Sequence, residues 1–298
     1  MSYHKPVLLS ESIDSLKIRC DGVYVDMTYG GGGHSREILN RLGSKGKLIA
    51  FDQDLDSLSN VIEDERLIFF RQNNIFLMQT LDYLKIEKVD GILADLGVSS
   101  HQLDKKNRGF SFQPGYTLDM RMNQKQNLDA IGVINNYTEN ELSDLFFLNG
   151  DLKNSKKIAK EICIERANKK ITMTNHLNSV LEKFFNHKTR NSFLARVYQS
   201  IRIEVNKELE FLKEILTQSK KILSKNGIIS IITYHSAEDR LVKRYFKNGC
   251  FDKEPIKDEF GNSLNPFKLK SRFLKPNESE LKFNIRSRSA KLRSALKI

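Results

Sequence analysis

Four short apolar runs dominate the first hundred residues: 22–27 (GVYVDM), 47–52 (KLIAFD), 67–71 (LIFFR) and 89–96 (VDGILADL). Segments with helical spacing separate them, at Ile38, Leu39 and Leu42, over a short stretch at 55–62, and over 76–84. Strand and helix alternating at this interval predict βαβ units and a parallel sheet. The alternation then stops. Residues 104–135 are polar and loop-like, with Gly109, Pro114 and Gly115, and helical patterns follow. Thr138 and Glu141 form a capping-box pair ahead of Leu142, Leu145 and Phe146. Ile158, Ile162 and Cys163 suggest a second helix, and Thr174 is placed to cap a third carrying Leu177, Val180, Leu181, Phe184 and Phe185. A continuous apolar stripe at Val197, Ile201, Val205, Leu209, Leu212 and Leu216 predicts one long helix, with Gly227 as its turn residue. A buried strand at 227–233, a helix at 236–246 and closing strands near 281–285 and 290–292 complete the expectation. Residues 1–103 and 196–298 are thus expected to form one discontinuous α/β domain, interrupted by a helical subdomain at 104–195.

The first apolar run leads directly into DMTYGGGGHS at 26–35. Glycine loses more backbone freedom on folding than any other residue, so four in a row between a strand and a helix need a reason. A glycine turn feeding a helix N-terminus suits a nucleotide-like ligand, although such clusters also mark plain turns. Asp52 ends the second strand, 19 residues after Gly33, where a carboxylate can accept from ribose hydroxyls or cap a helix. Asp95 ends the fourth strand, and open parallel sheets bind ligands at the carboxyl ends of their strands. The dinucleotide fingerprint is incomplete, since Ser35 occupies its third glycine position, and Asp26 disfavours a pyrophosphate. No G-K-[ST] follows the glycines, which argues against a P-loop nucleotidase. A cationic ligand with a ribose, S-adenosylmethionine, fits these acids better.

Charge supplies the second constraint. The chain carries 49 Lys+Arg against 37 Asp+Glu, net +12. Ten basic residues and only Glu278 and Glu280 lie in 268–298, a clustering that points to phosphate contact. Cys20, Cys163 and Cys250 are too scattered for a metal knuckle and read as reduced thiols in a cytoplasmic protein. No apolar stretch is long enough for a membrane helix, and the N-terminus lacks a signal-peptide layout.

Against this background the chain resembles the bacterial small-subunit ribosomal RNA methyltransferase H family. The resemblance is carried by HKPVLLSE (4–11), DMTYGGGGHS (26–35), FDQD (51–54), ILADLGVSSHQLD (92–104), RGFSF (108–112), LDMRM (118–122), YHSAEDRLVKR (234–244) and NIRSRSAKLR (284–293). It implies a class I, Rossmann-like methyltransferase with a mostly parallel seven-stranded sheet and an inserted helical domain. It implies methylation of N4 of a 16S rRNA cytidine in the decoding region, with S-adenosylmethionine as donor. It also implies cofactor contacts at Gly32, Gly33, His34, Asp52, Phe76, Asp95 and Gln102. Tyr29 stands where the family often has Phe, His101 replaces a usual Pro, and Tyr234 replaces a usual Phe.

The donor methyl is already activated, so no metal is required; the obstacle is an amine whose lone pair is delocalised into the base. Fixing that amine and accepting its proton is the help a protein can give. Asp95 is the candidate proton acceptor, or else a cofactor contact only. His235 either orients the base or binds phosphate, or caps the helix that starts at Ser236. Asp239 and Arg240 are equally a structural pair or substrate contacts. Base extrusion suggests aromatics beside cations, and Arg108, Phe110, Phe112, Tyr116 and Arg121 fit that pattern, with Arg286 and Arg288 in the basic tail. Phe110 and Phe112 equally fit a plug in the core, and the lysines of 153–170 a solvated face. The competing function is a non-enzymatic ribosome-assembly or RNA-binding factor on the same scaffold; a nicotinamide oxidoreductase is more distant.

Overall fold

The computed structural model describes residues 6–270 and 272–298. His4 and Lys5 of the first family motif lie outside them. The chain folds into two compact units, Met1–Gly97 with Leu209–Ile298, and Val98–Glu208. Among the described residues no helix is long and apolar enough to cross a membrane.

The first unit is built on a seven-stranded sheet: β1 (Val23–Asp26), β2 (Lys47–Phe51), β3 (Leu67–Phe70), β4 (Val89–Asp95), β5 (Leu223–Thr233), β6 (Phe267–Leu269) and β7 (Lys291–Lys297). Their spatial order is β3-β2-β1-β4-β5-β7-β6. The pairs among β1 to β5 are parallel, whereas β7 runs antiparallel to both β5 and β6. Strands covered by helices on both faces read as unbroken apolar runs, which is why 227–233 is buried throughout. One face packs Val25, Ile49, Ile92 and Ile229 against Leu212, Leu216 and Phe246; the other packs Tyr24, Leu48 and Leu93 against Ile13, Ile38 and Leu39. Gly91 leaves room for the Tyr24 ring, which a Cβ there would meet at 2.7 Å. The order reverses direction at β1, between β2 on one side and β4 on the other, and such a switch point opens a crevice at the carboxyl ends.

The second unit packs helices Ala130–Asn136, Glu139–Gly150, Ser155–Asn168, Thr174–Leu181 and Arg190–Asn206 around Val133, Leu142, Phe146, Ile158, Leu177 and Val197. The capping box of Thr138 and Glu141 is formed. Thr174 is not a cap: its hydroxyl donates to the Gln113 carbonyl at 2.6 Å and accepts the Tyr116 N–H, pinning the loop instead.

Three expectations for elements are corrected. The stripe from Val197 to Leu216 serves two helices, Arg190–Asn206 and Glu208–Ile222, broken at Lys207 with φ 50°. Val197, Ile201 and Val205 belong to the core of the helical unit, while Leu212 and Leu216 belong to that of the sheet. Buried Asn206 fixes the break by donating to the Met120 and Arg202 carbonyls and accepting the Met122 N–H. Residues 224–227 form a bulge within β5 rather than a helix-ending turn, because pairing jumps from Val89–Leu223 to Gly91–Ile228. Residues 281–285 are not a strand: Asn277 accepts the Glu280 N–H and starts helix Glu278–Phe283.

Candidate active site

Three neighbouring strand ends supply the site. Asp26, closing β1, is 1% exposed; it accepts the Thr28 N–H at 3.0 Å and the Ser35 hydroxyl at 2.7 Å. It therefore holds the glycine turn from inside, and burial raises its pKa. The turn follows with Gly30 at φ 53° and Gly32 at φ 74°, both left-handed, where an L side chain is strained. A Cβ on Gly33 would lie 2.2 Å from the Pro6 ring, so that glycine is required by chain packing. Tyr29 reaches across the turn: its hydroxyl donates to the Asn60 carbonyl at 2.8 Å and accepts the Ile62 N–H at 3.0 Å.

Asp52, just past β2, meets the same turn. Its Oδ2 accepts the Gly30 N–H at 2.7 Å and its Oδ1 the Asp54 N–H at 2.8 Å. Burial pushes its pKa up to about 6, with the Asp54 and Gly30 N–H groups pulling it down and the charges of Asp54 and Asp26 adding to the rise.

Asp95, closing β4, is the third acid. Its backbone N–H donates to the Thr28 hydroxyl at 2.7 Å, which ties the end of β4 to the turn after β1. The Tyr234 hydroxyl donates to Asp95 Oδ1 at 2.7 Å. Asp95 Oδ2 lies 3.8 Å from His34 Nδ1, and the carboxyl side chain keeps 22% exposure. Burial pushes its pKa up to about 7; the Tyr234 bond opposes this, and Asp26, Glu238 and Glu280 add to it. Tyr234 is itself raised well above 10, by burial and then by the Asp95 charge, so its hydroxyl stays a donor. Gly97, at φ 126°, lies against the same ring, which a Cβ would approach to 3.0 Å.

His34 sits in the first turn of helix Gly33–Arg41. Burial lowers its pKa to about 4, so the ring is neutral. Its Nε2 is 3.1 Å from the Val7 carbonyl, an acceptor, so Nε2 carries the proton and Nδ1 turns a lone pair toward Asp95.

Two further expected cofactor contacts are Phe76 and Gln102. Phe76, 45% exposed, ends the short turn Asn74–Phe76, whose Asn74 side chain donates to the Met27 carbonyl. Gln102 belongs to the helical unit, where its side-chain oxygen accepts the Ser99 N–H in a capping box. His235 takes the helix-cap position, one of the two alternatives for it. Its ring is 6% exposed, Nδ1 accepts the Glu238 N–H, and Nε2 lies 3.1 Å from Glu238 Oε1.

Arg108, expected to meet RNA, and Phe110, expected to meet RNA or to plug the core, are buried. Arg108 is 1% exposed and donates to the Arg121 and Met122 carbonyls, with Phe110 buried beneath it. Phe112 packs against the same core, and Arg121 is held by both oxygens of Asp119 and by the Gln126 carbonyl. These residues organise the loop of the helical unit. Arg286 and Arg288 are exposed on the turn Ile285–Ser289. Asp239 is a structural partner, since it accepts from Lys291 and Arg293 of β7.

Thr28 and Tyr234 were not among the expected site residues. Thr28 carries no motif signal of its own, whereas Tyr234 was visible as the departure from Phe beside the fifth strand.

Comparison with known proteins shows the family. The model of the MraW methylase family matches residues 1–298. The ribosomal RNA small subunit methyltransferase H of Flavobacterium johnsoniae is 52% identical over 298 residues, spanning 100% of this chain and 99% of that protein. Its namesake in Bacteroides fragilis is 47% identical over 297 residues, spanning 99% and 98%. Among solved structures, an rRNA methylase from Streptococcus thermophilus aligns over 100% of this chain and 99% of its own, with TM-score 0.42 and 11% identity. The match runs from one end of the chain to the other: it belongs to the MraW methylase family.

Proposed function

We propose that the chain transfers a methyl group from S-adenosylmethionine to small-subunit ribosomal RNA, and that the acceptor is N4 of a cytidine in the decoding region of 16S rRNA. The observation that carries this reading is the convergence of Asp52, Asp95 and the Gly30–Gly32 turn at the β1/β4 switch point, in a chain of a methylase family. The acids suit a cationic ligand, because burial disfavours their ionised forms and a nearby positive charge restores them. S-adenosylmethionine, when bound, supplies a methyl group on a cationic sulfur.

The protein's own residues do the rest. Asp52, already fixed by two backbone N–H groups, keeps acceptor capacity for a ribose diol. Asp95 accepts the proton that the amine must lose, with Tyr234 holding one oxygen and leaving the other toward His34. Neutral His34 cannot donate from Nδ1 and so does not compete for that oxygen. We assign RNA contacts to exposed residues of each unit taken by itself: Arg286 and Arg288 in the sheet unit, and lysines 153, 156, 157, 160, 169 and 170 in the helical unit.

The test is transfer of tritium from labelled S-adenosylmethionine to small-subunit rRNA, abolished by Asp95→Ala. Label appearing in protein or DNA instead would defeat the substrate assignment. Calorimetry showing no donor binding at micromolar protein would favour a non-enzymatic assembly factor.

A further inference from the structure

A second cluster in the sheet unit takes no part in the acid pocket. The segment after β6 is pinned to β7 by reciprocal backbone bonds between Leu274 and Leu292, both 2.9 Å. Neighbours of paired residues point to the opposite face. Phe273 and Lys275 thereby share a face with Lys291 and Arg293, and the Phe273 ring becomes the centre of a ring of cations. Arg293 lies 5.1 Å from its centroid, Lys291 5.6 Å, and Arg272 and Lys275 each 5.7 Å.

The floor of this cluster is rigid. Arg293 is 4% exposed; its Nε donates to Asp239 Oδ1 at 2.6 Å and its Nη1 to the Arg272 carbonyl at 2.5 Å. Lys291 donates to Asp239 Oδ2 at 2.9 Å. Asp239 is held below the usual carboxylate range by these two cations, against the effect of burial. Among the described residues it is the only carboxylate bonded to the four. Glu280, one of the two acids in the tail, accepts the Leu8 N–H instead. The rim is open: Arg272 and Lys275 are exposed, and the Lys291 side chain keeps 32% exposure.

Four cations against one acid, fixed around one ring, leave an excess of positive charge that suits an anion. Freely solvated surface lysines spread apart; these are gathered by a buried arginine that fixes the loop backbone. The register also matters, because Lys291 pairs with Thr233, the residue directly before Tyr234. The cluster flanks the strand end that supplies the Asp95 partner.

We propose that Arg272, Lys275 and Lys291 form a phosphodiester-binding subsite for the RNA strand next to the target nucleotide, with Phe273 and Arg293 as its scaffold. This rests on the reading of the substrate as RNA. Phosphates of a single strand contribute a salt dependence of about −0.7 per neutralised phosphate. The double variant Arg272→Glu/Lys275→Glu leaves the Arg293–Asp239 floor intact. With small-subunit rRNA fragments, its Kd rises about tenfold or more at moderate salt and its log–log salt slope shrinks by about 1.4. Donor affinity by calorimetry stays unchanged, and Arg272→Lys/Lys275→Arg retains most of the binding. An unchanged rRNA Kd and salt slope in the charge-reversed variant would overturn the proposal. So would loss of binding to anionic lipid vesicles with rRNA binding intact. A wild-type chain that binds RNA through these residues yet transfers no methyl group would defeat the methyltransferase reading while upholding the subsite.

Discussion

Tyr234→Phe removes one oxygen and leaves the ring against Gly97. The lost hydroxyl donates to Asp95 Oδ1 at 2.7 Å, and it favours the ionised carboxyl against burial. A hydrogen bond to a charged group contributes about 1.5–3 kcal/mol, which at 1.36 kcal/mol per unit corresponds to about 1–2 pKa units. The Asp95 carboxyl, at about 7 with its partner, then titrates above 8. The other groups facing it are neutral His34, Thr28 and the acids Asp26, Glu238 and Glu280. Charges of the same sign as its own reinforce the upward shift, and none of these groups replaces the donor.

The pH dependence of kcat/KM for the donor, which titrates the free enzyme, reports this directly. If Asp95 must be ionised to take the amine proton, activity rises with pH along a limb set by its pKa. In the variant that limb moves up by about 1–2 units, the rate at pH 7 falls roughly fivefold to fiftyfold, and the alkaline plateau is kept. Tyr234 titrates far too high to produce the limb itself. Carbon-13 NMR of the Asp95 carboxyl gives the same shift without reference to turnover. A variant whose carboxyl titrates as in the wild type would refute the argument from the hydrogen bond. A shifted carboxyl with an unshifted rate limb would refute Asp95 as proton acceptor.

Asp95→Asn keeps the shape of the site but accepts no proton, so kcat falls by about 10²–10⁴ with little change in rRNA KM, and the acid limb disappears. The free protein's stability runs against ordinary acid denaturation near neutrality. Asp52 and Asp95 have folded pKa values of about 6 and about 7, above 3.8, so their contribution is full below about pH 4 and is lost as pH rises through 7. His34, lowered from 6.5 to about 4, acts oppositely, losing its contribution as pH falls through that window. Two acids outweigh one histidine, so calorimetric Tm drops from pH 5 to pH 8 and Asp95→Asn flattens the drop; a Tm that climbs over this range contradicts the assignment. Arg108→Met leaves the Arg121 and Met122 carbonyls without their buried donor and destabilises the chain by about 2 kcal/mol in urea, with rRNA affinity of the folded protein unchanged. Loss of affinity at unchanged stability would restore Arg108 as an RNA contact.

What the sequence discloses follows from how local each signal is. The strands at 22–27, 47–52 and 227–233 are legible because burial on both faces leaves mostly apolar residues. Asp52 and Asp95 are legible because a parallel sheet delivers its strand ends to one edge. The break at Lys207 is not, because a stripe at helical spacing looks the same whether it faces one core or two. The strand expected at 281–285 fails for a related reason: Leu281 and Ile285 carry apolar character, but the Asn277 cap settles the local conformation first. The burial of Arg108 and Phe110 is not legible because arginine near phenylalanine reads the same on a surface and in a core. Asp239 with Lys291 and Arg293, separated by some fifty residues, becomes visible only once β7 is paired with β5.

The acid pocket gains a further property from the burial that strains it. Asp26, Asp52 and Asp95 are each driven toward their neutral forms. A cationic donor reverses that preference, so its binding tightens with pH and releases protons. If Asp95 is the proton acceptor proposed above, its carboxyl, raised to about 7, gains basic character when the donor's positive charge favours its ionised form. Placing that group among other acids, rather than beside an arginine that would keep it ionised at all times, would tie its competence to the donor's charge.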